Sequence, residues 1–160
     1  MLQLLNNDVL LWGLLSCGIA QFLKIFVDLF KNRQLRFSIL FETGGMPSSH
    51  SSLVTATAAG IGWKLGFDDP LFTLSVAIAF IVMYDASGIR RSAGIQAKQI
   101  NFLSENSKNN KNFNRLKEEL GHTKLEVLVG SLLGPLIALP GIIYFGSPIQ
   151  IAYKLQNLLA

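Results

Sequence analysis

The chain has 160 residues, half of them hydrophobic and 15% charged, against about a quarter charged in an average soluble domain. That length leads us to expect one domain, 1–160, and the clustering of the apolar residues into long blocks points to a membrane. A single cysteine, Cys17, excludes an internal disulfide, and a +4 net charge on so hydrophobic a chain favours anionic headgroups or a phosphorylated substrate over nucleic acid.

The opening residues MLQLLNND lack the basic segment that precedes the apolar core of a signal peptide, so the first apolar block is expected to be retained. That block, about 8–30, reads as a membrane-spanning helix with Asp8 as its N-cap. Gly13, Cys17, Gln21, Lys24 and Asp28 recur at steps of three and four and share one face, which should look inward. The second span, about 50–66 (HSSLVTATAAGIGWKLG), is rich in small residues that let helix backbones approach, so it belongs at the centre of a bundle. The third, about 70–90, starts with Pro70 in its first turn and stays apolar until Tyr84-Asp85. Residues 98–119 (KQINFLSENSKNNKNFNRLKEE) are polar, Asn/Lys-rich and expected to form a loop. The fourth span, about 123–145, contains Pro135 and Pro140 as expected kinks. The final PIQIAYKLQNLLA is amphipathic and suited to the membrane interface. The expected fold is therefore an all-α integral membrane bundle of about four transmembrane helices plus a C-terminal amphipathic helix.

Two segments concentrate positive charge: 31–46, with Lys31, Arg33 and Arg36, and 91–122. With four spans they lie on one side, which the positive-inside rule makes cytoplasmic in a multi-pass protein.

The polar residues fall at span ends on that same side. Lys24 and Asp28 close the first span, TGGMPSSHSS (43–52) opens the second, Asp85, Arg90 and Arg91 end the third, and His122 and Glu126 open the fourth. PSSHSS is explained by an ordinary serine-capped helix start, but it also suits an anion cradle. Backbone N–H groups, Ser48 and Ser49 at the positive end of a helix dipole would face phosphate oxygens, with His50 placed to give a proton to a leaving oxygen. His122 and Glu126, four residues apart, share a helical face, so the carboxylate can fix the imidazole tautomer and raise the basicity of its other nitrogen. A plain interfacial His–Glu contact is the competing explanation. Arg90-Arg91 as a topogenic anchor, Lys24 snorkelling to headgroups and Asp85 neutralising one arginine complete the structural alternatives. Taken together, these residues supply cations, a backbone cradle, a nucleophile, its orienting acid and a second acid, which is what phosphoryl transfer needs.

The blocks TGGMPSSHSS, VMYDASGIRRSAGIQAKQIN and LKEELGHTKLEVLVGSLLG resemble the divergent branch of the type 2 phosphatidic acid phosphatase family, also described as acid phosphatase/vanadium-dependent haloperoxidase-related, from about Gln21 to Gly134. Family motifs match unevenly. Lys24 fits a lysine followed, after six intervening residues, by Arg-Pro, but Lys31-Asn32 stand in place of that pair. Pro47-Ser48-Ser49-His50 matches Pro-Ser-Gly-His with serine replacing glycine. His122 and Glu126 match the final histidine and acid. The motif's arginine has three candidates: Arg90, Arg91 and Arg115, the last one step out of register. The resemblance implies that His122 attacks phosphorus to form a phosphohistidine, that Glu126 orients it and that His50 protonates the leaving group. Lys24, Ser48, Ser49, Arg90 and Arg91 would neutralise phosphate oxygens. It implies no metal and no cofactor, and a substrate that is a phospholipid or polyprenyl phosphate. Four spans are fewer than the six usual in the family, so a second copy or a membrane-complex partner would complete the pocket. The competing functions are a non-catalytic membrane protein that binds phospholipid or assists assembly of a complex, and an anion or lipid carrier.

Overall fold

The computed structural model describes residues 6–33, 37–41, 44–106 and 113–159, which excludes Arg36, Thr43 and the centre of the Asn/Lys-rich segment. The order is α1 (Asp8–Asn32), a 3-10 turn (Phe37–Phe41), α2 (Ser49–Leu65), α3 (Pro70–Ser87), α4 (Ile89–Glu105), α5 (Lys124–Pro140), a π turn (Gly141–Phe145) and α6 (Pro148–Leu159). Among the described residues there is no strand.

Helix starts follow local capping chemistry. Asn7, not Asp8, caps α1, accepting the Leu10 amide at 3.0 Å. Asp8 instead pairs with Lys64 at the far end of α2, 2.6 Å away. Ser48 caps α2, and Asp69 caps α3 with Pro70 in the first turn, where its missing N–H costs nothing. Thr123 and Glu126 form a reciprocal capping box at the head of α5.

Three helical stretches are long and apolar enough to cross a membrane: Asp8–Asn32, the combined run Pro70–Glu105, and Lys124–Phe145. Helix α2, with 17 residues, measures only about 26 Å, short of a hydrocarbon core of roughly 30 Å. It takes the central place expected of it, packed against α1, α3 and α5. Small residues make this possible: an added Cβ at Gly130 would meet the Ser48 carbonyl oxygen at 2.3 Å, and one at Gly134 the Ser52 carbonyl oxygen at 2.2 Å. Trp12 covers Gly141 in the same manner and donates from Nε1 to the Gly146 carbonyl at 2.9 Å. Around this core the large apolar side chains of α1 (Phe22, Phe26, Phe30), α3 (Leu71, Leu74, Ile78, Ile81) and α5 (Leu128, Leu132, Leu136) are exposed on the outside of the bundle. On α1, by contrast, Gly13, Lys24 and Asp28 of the polar stripe are buried, as the spacing predicts.

The segment expected to be a loop from 98 onward is the main correction. The backbone leaves helical geometry at Gly88, then resumes as α4 to Glu105, so residues 98–105 are helical. Beyond the undescribed 107–112, residues 113–120 run extended as a strap against α4. Asn101, 1% exposed, holds it: Nδ2 donates to the Leu116 carbonyl (2.9 Å) and to Glu118 Oε1 (2.8 Å), and Oδ1 accepts the Leu116 amide (2.9 Å). Gly94 lets the strap approach, since a Cβ there would sit 2.6 Å from the Glu118 carbonyl oxygen. Hydrogen bonds from Asn101 and Arg115 hold the Glu118 carboxyl below the usual carboxylate range, against a smaller opposing effect of burial. A group with a lowered folded pKa contributes stability above its unfolded pKa and loses it as pH falls through the folded value, so acid should loosen the strap. Asn101→Ala strands Leu116's backbone groups and should cost about 1–3 kcal/mol. Faster protease cleavage within 113–120 in detergent, with the helical content intact, would register the change.

Candidate active site

The polar ends of four helices meet at one end of the bundle. The Ser48 amide donates to the Glu126 carbonyl at 3.1 Å, joining the heads of α2 and α5. The His122 amide donates to the Ala86 carbonyl at 2.9 Å, joining the approach to α5 to the end of α3. Gly121, with φ of +79°, makes the turn into His122; a Cβ there would collide with the Arg91 amide at 2.4 Å, which keeps this turn against the head of α4. Met46–Pro47 is a cis peptide bond leading into α2.

His122 is 3% exposed. Its Nδ1 lies 3.2 Å from Glu126 Oε2, and the same oxygen accepts the Thr123 amide at 3.0 Å, so the carboxylate is fixed by the capping box before it meets the imidazole. Nε2 is buried and has no hydrogen-bond partner among the described residues. An unsatisfied buried ring nitrogen costs about 1–3 kcal/mol, so this atom calls for a partner.

His122 and Glu126 line a cavity of about 660 Å³. Lys24, Lys31, Arg91 and Lys98 contribute its cations, and Asp28, Glu118, Glu119 and Glu126 its carboxylates. The carboxylates have partners within the fold: Asp28 accepts from Asn32 at 2.6 Å, Glu118 from Asn101 and Arg115, and Glu119 is engaged as well. Lys24, 1% exposed and likewise engaged, reaches the wall formed by Gly44 and Gly45.

The other expected residues, His50, Ser48, Ser49, Asp85, Arg90 and Arg115, are not among those that line this cavity. His50 sits exposed on the first turn of α2; partial desolvation of its ring, and then the charges of Arg90, His122 and Lys24, hold its pKa below the usual imidazole value. Arg90 is bound to Asp85 at 2.5 Å, whereas its neighbour Arg91 lines the cavity. Arg115 is exposed and bound to Glu105 and Glu118, at 3.6 and 3.2 Å. Ser48 is fully buried and uses its hydroxyl within the cap, accepting from Ser51 Oγ at 2.9 Å. Ser49 is buried as well, beside Cys17 of α1. The Ser48 hydroxyl is therefore engaged inside the fold. Lys31 and Lys98 are cavity cations that sequence reasoning did not place there; the positive charge of both segments was the available signal. Among the described residues no cluster of His, Cys, Asp and Glu could hold a metal ion.

An all-α membrane bundle thus gathers a carboxylate-held histidine and several cations at one end. The chain belongs to the Divergent PAP2 family, whose sequence profile matches residues 5–137. It is also similar to the "Uncharacterized membrane protein YuiD" of Bacillus subtilis (strain 168), with 39% identity over 151 residues, covering 86% of this chain and 96% of that protein. No solved structure matches the chain. The family, that relative and the apolar helices together make it an integral membrane protein.

Proposed function

We propose that the chain is a single-domain, multi-pass phosphatase that hydrolyses a lipid phosphate monoester or pyrophosphate without a metal. The observation that carries this reading is the buried, partnerless Nε2 of His122, set in a cationic cavity while Glu126 holds Nδ1. In the first step the Nε2 lone pair attacks phosphorus, an N–P bond forms, and the P–O bond to the lipid breaks. His50, as imidazolium, gives its proton to the departing oxygen. In the second step neutral His50 takes a proton from water, the resulting hydroxide displaces His122, and inorganic phosphate leaves. Arg91 and Lys24 neutralise the oxygens of the transferring group, with Lys31 and Lys98 nearer the rim. Arg91 suits this role better than Arg90, which Asp85 already neutralises.

The meeting of Lys31, Arg91 and Lys98 in one cavity supports placing both basic segments on one side, and the positive-inside rule makes that side cytoplasmic. The test is direct. Purified protein mixed with phosphatidic acid or polyprenyl pyrophosphate labelled in the reacting phosphate should release inorganic phosphate. It should also carry label that is lost in acid and kept in alkali, as a phosphohistidine is. Label release with no covalent adduct at any time after rapid quenching would sink the two-step route. Binding with no release would leave a phospholipid-binding membrane protein.

A further inference from the structure

Helix α4 carries a second hollow, of about 480 Å³, formed by Ile95, Lys98, Gln99, Phe102 and Leu103. Ile95 and Lys98 also line the cationic cavity, so the two spaces share a wall. Across that wall the chemistry changes. On one side stand His122, Arg91 and the carboxylates. On the other, Ile95, Phe102 and Leu103 are 54%, 67% and 68% exposed, beside Gln99. Ile95, Phe102 and Leu103 lie at steps of seven and one, and from Ile95 to Leu103 the helix rises about 12 Å. The buried stripe of the same helix, Gly94, Ala97 and Asn101, is turned towards the strap, so the apolar side chains are directed away from it.

We propose that this hollow seats the hydrocarbon chain of the lipid whose phosphate occupies the cationic cavity, with Lys98 at the junction of the two. The identity of the polar group rests on the phosphatase reading; the seat for the chain rests on Ile95 and Lys98, which line both spaces. A molecule with one anionic end and one long apolar end fits both halves, whereas a soluble phosphate ester leaves Phe102 and Leu103 uncovered. The α4 residues thereby set specificity for a chain-bearing substrate without touching the reacting atoms.

The test compares phosphatidic acids carrying hexanoyl and palmitoyl chains, presented in detergent micelles to wild type, to the double variant Phe102→Ala/Leu103→Ala and to Gln99→Trp, which fills the hollow from a position outside the cationic cavity. Hydrolysis is read as kcat/KM, and binding is read separately on a His122→Ala background. The expected result is a preference of wild type for the palmitoyl substrate that falls about tenfold or more in both variants, with hexanoyl turnover unchanged and so reporting an intact site. If turnover occurs but the chain-length preference is the same in all three proteins, or if both substrates lose activity together, the chain seat is wrong and the phosphatase reading survives. If nothing is hydrolysed but His122→Ala binds the palmitoyl lipid more tightly, and Phe102→Ala/Leu103→Ala erases that difference, the seat stands and the phosphatase reading falls. Equal binding of both lipids without turnover overturns both.

Discussion

On the proposed mechanism, replacing His122 with alanine should lower lipid phosphate hydrolysis by about 10⁴-fold or more, because it removes the atom that would bond to phosphorus. The fold should survive, since the His122 backbone amide keeps its bond to Ala86 and the Thr123–Glu126 box is formed without the imidazole. Helical content and elution from a sizing column provide that control. Glu126→Gln offers a finer cut. Glutamine serves a capping box as glutamate does, so α5 should start normally, while the imidazolium formed in the reaction loses its counter-charge. Activity should then drop by about a hundredfold or more with little change in melting temperature. His50→Ala should behave differently again. Its loss should cost about 10²–10⁴-fold on an alkyl phosphate, whose leaving oxygen needs a proton. With a para-nitrophenyl phosphate the loss should shrink, because that leaving group departs without one. Equal losses on both substrates would exclude His50 as the acid.

The second large effect concerns the fold itself. Gly134→Val should prevent stable folding, because even a Cβ would lie 2.2 Å from the Ser52 carbonyl oxygen and 2.8 Å from the Ala56 amide nitrogen. Those are backbone atoms of α2 and cannot rotate aside, so α5 has to move away from the helix at the centre of the bundle. Overpacking of a tight core costs about 1–3 kcal/mol and more where the backbone blocks relief. Gly130→Ala adds a functional consequence, since its Cβ would press on Ser48, whose amide joins the two helix heads. Gly18 gives the contrast: nothing lies within 4 Å of a Cβ there, so Gly18→Ala should be neutral or stabilise α1 by up to about 1 kcal/mol. Melting curves in detergent should rank the three as Gly18→Ala, Gly130→Ala, Gly134→Val from most to least stable. Indistinguishable curves would mean that α2 and α5 are not in contact in the folded protein.

Much of this architecture was legible because a bilayer makes helices nearly obligatory and hydrophobic length easy to read. The inward stripe of α1 and the His122–Glu126 pair follow from helical spacing, and the central place of α2 from its small residues. Composition misled at 98–105. Polar Asn and Lys suit a loop, yet Ala97 and Asn101 stand four apart and are both buried. Asn101 earns its helical place through three tertiary hydrogen bonds, which no local rule contains. Asp8 failed as a cap for a related reason: Asn7 precedes it with equal capping chemistry, and Lys64 draws Asp8 elsewhere. The choice among Arg90, Arg91 and Arg115 is also tertiary. Adjacent arginines on a helix diverge by about 100°, so only the packed structure distinguishes the one bound to Asp85 from the one lining the cavity.

Glu126 holds the histidine through one carboxylate oxygen, closes the capping box with the same oxygen, and receives the Ser48 amide on its backbone carbonyl. Selection therefore cannot act on the setting of the imidazole and on the start of α5 separately. A lineage that abandoned turnover would still be held to an acid or amide at this position by the need to begin the helix. The residue's persistence among relatives would thus report folding as readily as chemistry, whereas substitution of His122 alone would mark a descendant that kept the architecture and gave up the reaction.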